Sequence, residues 1–188
     1  MIDSLCDQAR GQNIAVACFY FDFAAQEQSS TTMLGALLKQ LVVGLVDVPR
    51  EMAQAYEEEK HFIGGRRPRD TDIVKMLQVA SSQKRTFICI DALDECVPED
   101  RVKLLDSLNQ VLQNSPGTRI FVTGRPHIRP EIGSRLAGRV TSLSISTKRD
   151  DIIRYLHTRL AEDTTPDAMD SSLVVDILRK IPEDVSDM

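Results

Sequence analysis

The chain lacks the features that would place it in several large functional classes. It has no excess of positive charge: 23 Lys plus Arg stand against 28 Asp plus Glu, a formal net charge of −5. A nucleic-acid coat or an anionic-membrane binder needs a positive field, so both are disfavoured. It lacks a long apolar run. The longest, Ile14–Phe21, is 8 residues, and a membrane helix needs about 20. Asp3 and Asp7 precede that run instead of a basic region, so it is not a secretory signal core either. Its four cysteines, Cys6, Cys18, Cys89 and Cys96, form no C-x-x-C pair. With no secretion signal they read as free thiols in a reducing, cytoplasmic setting. His61, His127 and His157 have no metal-ligand spacing.

What is present is a foldable composition. The 188 residues are 42% hydrophobic and 27% charged, enough to bury a core and consistent with one domain plus a small appendage. Short β-rich runs alternate with longer amphipathic stretches. Residues 14–23, 86–91 and 119–123 read as strands, and 140–145 as a weaker fourth. Their apolar character is continuous, as in strands covered on both faces of a parallel sheet.

The intervening segments have helical phase. Leu34, Leu37, Leu38, Leu41 and Leu45 share a face, behind the N-cap cluster Ser29–Thr32. Residues 51–60 read as a short charged helix, 64–68 as an exposed loop, and 70–82 as another helix. Pro98 suits the first position of a further helix, followed by Glu99 and Asp100. Thr147 and Asp150 resemble a capping box, and a last helix runs over about 171–181. Strands alternating with helices imply a three-layer α/β fold with a parallel sheet. The boundary to a helical segment falls near Ser146, dividing the chain into 1–146 and 147–188.

The most informative stretch is Thr86–Glu95, TFICIDALDE. A buried strand ends, and three carboxylates follow within five residues: Asp91, Asp94 and Glu95. Open α/β sheets bind ligands at the carboxyl ends of their strands. One acid there can hold a hydrated Mg²⁺, and a second can orient an attacking water. The competing reading is that Asp91 ends the strand while Asp94 and Glu95 cap the helix opening at Pro98. A second strand, 119–123, is followed by Gly124-Arg125-Pro126. Arg125 at that tip could stabilise phosphate charge, or could be a surface arginine before a turn. Arg66, Arg67 and Arg69 lie in a Gly/Pro loop without interleaved aromatics, which suits solvation better than nucleic-acid binding.

CFYFDF at 18–23, FICIDALDEC at 87–96 and IFVTGRP at 120–126 resemble three blocks of the NACHT-type signalling NTPases. The likeness is greatest to the fungal group with a nephrocystin-like N-terminal domain. Residues 147–156 resemble the segment entering its helical lid. The resemblance implies a P-loop NTPase-like sheet and a switch that binds ATP or GTP with Mg²⁺. It implies Asp91 as the magnesium acid, Asp94 and Glu95 as the catalytic acidic pair, and Arg125 as a catalytic, phosphate-sensing arginine. It implies other protomers as partners in a homo-oligomer; the charge balance and the lack of a long apolar run leave no nucleic acid or membrane among the expected partners.

Two departures stand out. Gly124 replaces the usual serine, a change expected to cost only a hydroxyl. No G-x-x-x-x-G-K-[S/T] phosphate loop occurs; residues 133–138 have its glycine spacing, but Arg139-Val140 follows. By resemblance that loop precedes Met1, so the chain reads as a fragment, deficient in NTP hydrolysis by itself. The alternative is a non-catalytic interaction module that retains the fold. The absent first strand would lie between 119–123 and 140–145, which predicts that 140–145 is unpaired or closes directly onto 119–123.

Overall fold

A computed structural model describes residues 2–9, 12–21, 29–45, 47–60, 68–136, 140–146, 148–162 and 170–186. It contains two compact units, 1–140 and 141–188. The first opens with α1 (Ile2–Ala9) and β1 (Ile14–Tyr20), then α2 (Ser30–Val43), α3 (Arg50–Lys60) and α4 (Asp70–Gln83). β2 (Arg85–Asp91), α5 (Pro98–Asn114), β3 (Thr118–Val122) and α6 (Arg129–Arg135) follow. The three strands are parallel in the order β1-β2-β3. This is an α/β layout with a small parallel sheet and flanking helices.

Strand alternation decides what covers each face. Ala15, Ala17, Ile88 and Ile90 are buried in one cluster with Leu34, Leu37 and Leu41 of α2, Leu77 of α4, and Leu104, Leu105 and Leu108 of α5. The two alanines let α2 approach β1 closely, and each fully buried leucine contributes about 1.5–3 kcal/mol. On the opposite face Cys89 accepts or donates a hydrogen bond with Cys18 and feels Cys6 of α1. Burial raises the Cys89 thiol above its ordinary value, the Cys18 contact opposing. None of the four cysteines is disulfide-bonded.

The free edge of β1 is closed by a side chain. Gln40 of α2 accepts from the Cys18 N–H at 2.9 Å and donates to its carbonyl at 2.8 Å. A glutamine amide thus mimics a neighbouring strand at one position, blunting an exposed edge. The helix starts follow their sequence signals. Ser29 caps α2 through the Thr32 N–H, and Pro98 sits in the first turn of α5 with Glu99 and Asp100.

Residues 140–145 do not form the expected fourth strand. A strand exists only where a partner takes its backbone N–H and C=O groups. Among the described residues β3 pairs with β2 alone. Leu143 and Ile145 are 82% and 88% exposed, so no packing fixes them either. Gly133 lies within α6, not in a strand–helix turn, and Gly138 falls outside the described residues.

The second unit holds α7 (Arg149–Ala161) and α8 (Ser171–Ser186), packed on each other. Lys148 is the N-cap of α7 and Asp150 and Asp151 lie in its first turn; Thr147 falls outside the described residues. Helix α8 continues past Ile181 through Pro182, beyond the end expected from the sequence. The loop at 64–67 and residues 22–23 of the first motif also lie outside the described residues.

Candidate functional site

Three parallel strands place their carboxyl ends at one edge, and register fixes which residues meet there. Tyr20 aligns with Asp91, and Ile90 with Val122. One step further, Asp91 of β2 stands beside Thr123, directly after β3. The Phe21 N–H donates to the Asp91 carbonyl at 3.2 Å, which ties the end of β1 to the same place.

Thr123 joins the two strand tips with four hydrogen bonds. Its N–H donates to the Ile90 carbonyl at 2.9 Å, and its own carbonyl accepts from the Leu93 N–H at 2.9 Å. Its hydroxyl accepts from the Ala92 N–H at 2.9 Å and donates to Asp91 Oδ1 at 2.5 Å. The hydroxyl therefore uses both donor and acceptor capacity to fix the Asp91 carboxylate and the turn after it.

That turn is unusual. Ala92 has φ 55° and ψ 45°, the left-handed region that L-residues with a Cβ avoid. It is the one non-glycine positive φ among the described residues. The reversal lets Leu93 drop into the core with no exposed surface. It starts the short 3₁₀ turn Leu93–Glu95.

The turn sets the fates of the other two acids. Asp94 points back to the β3 tip. Its Oδ1 accepts from the Arg125 N–H at 3.2 Å, and its Oδ2 lies 3.3 Å from Arg125 Nε. The Asp94 side chain is 8% exposed and that of Arg125 76%. The pair thus anchors the guanidinium at its base and leaves its two terminal nitrogens without a partner among the described residues. Glu95 is exposed, and its carboxylate makes no hydrogen bond or ion pair among the described residues. So Asp91, Asp94 and Arg125 are brought to one edge, and Glu95 stands at the solvent side of the same turn.

Gly124 leaves room for the side chains packed at these tips. A Cβ there would lie 2.6 Å from Ile128 Cδ1 and 3.3 Å from Asp94 Oδ1. The serine of the resembling family would displace Ile128 in this chain, so the departure involves more than a hydroxyl.

The support beneath the site is polar and buried. Arg101 of α5 donates to the Cys96 carbonyl at 2.9 Å and to Glu131 of α6 at 2.9 Å. This couples the turn after the acids to the helix after Arg125. Burial pushes the Cys96 thiol up to about 11, with Arg101 opposing. Near the same edge, Asp70 of α4 accepts from the Ser30 and Thr31 hydroxyls, and Asp100 of α5 accepts from the Ser30 N–H. Helix N-termini favour such acids.

Chemically, Asp91 fits a cation. Its Oδ1 is fixed by Thr123, and its Oδ2 accepts no hydrogen bond among the described residues. A hydrated Mg²⁺ uses one or two carboxylates and keeps its waters. No group of three His, Cys, Asp or Glu residues that could hold a metal occurs among the described residues, so a closed protein cage is not formed there. No G-x-x-x-x-G-K-[S/T] phosphate loop occurs in the sequence. Thr123 is the site residue that sequence reasoning did not single out. Its only signal was a hydroxyl at the end of an apolar strand next to an acid-tipped strand.

Residues 1–125 match the family model described as "Nephrocystin 3, N-terminal". The match covers about two thirds of the chain, and Asp91, Asp94, Glu95 and Arg125 all fall inside it. No curated protein and no solved structure matches. The chain belongs to the nephrocystin 3 N-terminal family.

Proposed function

We propose that this member of the nephrocystin 3 N-terminal family carries the acid and arginine half of a NACHT-type nucleotide switch. One observation supports the reading above the rest. Asp91 and the Asp94–Arg125 pair occupy adjoining strand tips at the carboxyl edge of a parallel sheet. Asp91 is the residue that would hold Mg²⁺, which when bound with ATP or GTP neutralises phosphate charge. Arg125 presents its free terminal nitrogens to phosphate oxygens, an arrangement suited to stabilising transferred charge. Asp94 orients Arg125, and Glu95 remains free to orient water or accept a proton. NTP hydrolysis in the complete switch, a cytoplasmic setting and assembly with further protomers belong to the same proposal.

The 188 residues hold no phosphate loop, and that loop supplies most of the N–H donors and the lysine for the β- and γ-phosphates. The chain alone is therefore deficient in triphosphate binding. A second reading, a non-catalytic interaction module, is favoured by the same absence and by Asp94 being committed to Arg125.

Nucleotide-dependent thermal shift separates these. Binding at a hundredfold excess over Kd stabilises the native state by about 2.7 kcal/mol. In a chain bearing both this edge and a phosphate loop, ATP or GTP with Mg²⁺ raises Tm, and Asp91→Ala cancels the rise. Glu95→Gln slows hydrolysis there and prolongs nucleotide occupancy. The 188-residue chain shows no rise. Binding that ignores Asp91→Ala would sink the assignment of the site. A robust rise in the 188-residue chain would overturn its deficiency.

A further inference from the structure

The opposite edge of the sheet carries a second feature, independent of the acidic one. Strand β2 runs seven residues from Arg85 to Asp91, so the two edges are about 20 Å apart. At the amino edge lies an open cleft of about 650 Å³. Its walls include Asn13, Ser81, Ser82, Lys84, Arg85 and Arg119, and no acid lines it among the described residues. In a chain of net charge −5, three cations around an acid-free cleft are a local inversion of sign.

Part of this charge has a structural use. Helices α2, α4 and α5 end near here, and their terminal carbonyls attract cations. Lys84 Nζ donates to the Gly44 carbonyl at 2.7 Å, and one Arg119 nitrogen donates to the Pro116 and Thr118 carbonyls. That account does not extend to Arg85. Its guanidinium lies 5.3 Å from the Phe87 ring centre and makes no hydrogen bond among the described residues. Arg119 keeps Nε and its second terminal nitrogen without an acceptor there. None of the three cations forms an ion pair among the described residues.

Two buried hydroxyls lie behind this wall. Ser81 is 2% exposed, and its Oγ has no hydrogen-bond partner. Thr118, next to Arg119, is 1% exposed with its Oγ1 also unpartnered. Both oxygens are sealed from solvent, and Thr118 is not a lining residue of the cleft, so the donors within a ligand's reach are the guanidiniums. Forked guanidinium donors match tetrahedral oxyanions in two-point fashion. We propose that this cleft is a binding site for a small phosphate-bearing anion, with Arg85 and Arg119 as its principal donors.

The test is isothermal titration calorimetry on the 188-residue chain with inorganic phosphate and with pyrophosphate, at fixed ionic strength. Pyrophosphate is expected to bind saturably. Arg85→Gln and Arg119→Gln, each on an accessible side chain whose fold is checked by circular dichroism, should each weaken it about tenfold or more, the factor for one charge-assisted hydrogen bond. Lys75→Gln, the same charge change on exposed α4 surface, should leave it unchanged. Absence of saturable heat from both anions would overturn the proposal. So would an equal loss in Lys75→Gln, which reports overall charge. Binding of a polyglutamate peptide without any response to pyrophosphate would overturn it in favour of a protein partner.

Discussion

The Ala92 turn stores backbone strain that a pair of substitutions can measure. An L-residue in the left-handed region costs about 1–2 kcal/mol relative to its right-handed form. Glycine removes that cost but adds about 0.5–1 kcal/mol of chain entropy in the unfolded state. Ala92→Gly is therefore expected to stabilise the chain by up to about 1.5 kcal/mol. The strain persists because Thr123 holds the turn from both sides, its hydroxyl on the Ala92 N–H and its carbonyl on the Leu93 N–H. Thr123→Val keeps the shape and deletes the hydroxyl. It loses one neutral hydrogen bond and one to a carboxylate, about 1 and 1.5–3 kcal/mol where water cannot substitute. Thr123 is exposed, so water recovers part of this, and a loss of about 1–2 kcal/mol is expected.

Urea unfolding reads both changes as shifts in midpoint at constant slope. The double variant adds the decisive information. With the hydroxyl gone, Ala92 relaxes more easily, so Ala92→Gly should gain less in the Thr123→Val background than alone. The coupling should exceed the about 0.5 kcal/mol expected of independent sites. A destabilising Ala92→Gly would refute the strain argument. Strict additivity would refute the idea that Thr123 maintains the turn.

Three further outcomes follow from burial and contact. Leu108 of α5 is fully buried in the core beneath the sheet, so Leu108→Ala should cost about 2–5 kcal/mol in the same urea assay; a loss under 1 kcal/mol would mean the α5 packing is wrong. Cys96, whose thiol burial raises from 9.0 to about 11, stays protonated in the folded chain while its unfolded counterpart ionises. Its contribution to stability is therefore fully present below pH 9 and is lost as pH climbs from 9 towards 11. Comparing the pH dependence of unfolding in the chain and in Cys96→Ala checks this, and identical slopes over that range would contradict it. Gly124→Ser should destabilise by about 1 kcal/mol, because its Cβ meets Ile128 Cδ1 at 2.6 Å and the isoleucine must leave its rotamer; rescue by Ile128→Val would locate the clash, and a neutral Gly124→Ser would dismiss it.

The sequence carried the sheet far better than it carried the contacts at its edge, and the reason is physical. Strands β1, β2 and β3 were visible because burial on two faces demands unbroken apolar runs such as FICID and RIFV, and that demand is local in sequence. The starts of α2 and α5 were visible because Ser29 and Pro98 act on backbone groups within one turn. Residues 140–145 have the same local character and yet form no strand, since a strand requires a partner along its edge, and pairing is a property of the whole sheet. The acids show the same division. That Asp91, Asp94 and Glu95 cluster could be read from their spacing, but their separate situations could not. Those depend on the left-handed Ala92, which sends Asp94 back to Arg125 and Glu95 outward, and alanine is the residue least suggestive of such a turn. Thr123 was hidden for a related reason: its importance comes from standing opposite Asp91 in a register set by β2–β3 pairing, 32 residues away along the chain. The amino-edge cleft was hidden in the same way, because Arg85 and Arg119 lie in the first two residues of separate apolar strands and only pairing of those strands brings them to one place. Charge that looks dispersed along the chain becomes two edges of opposite sign once the parallel sheet forms.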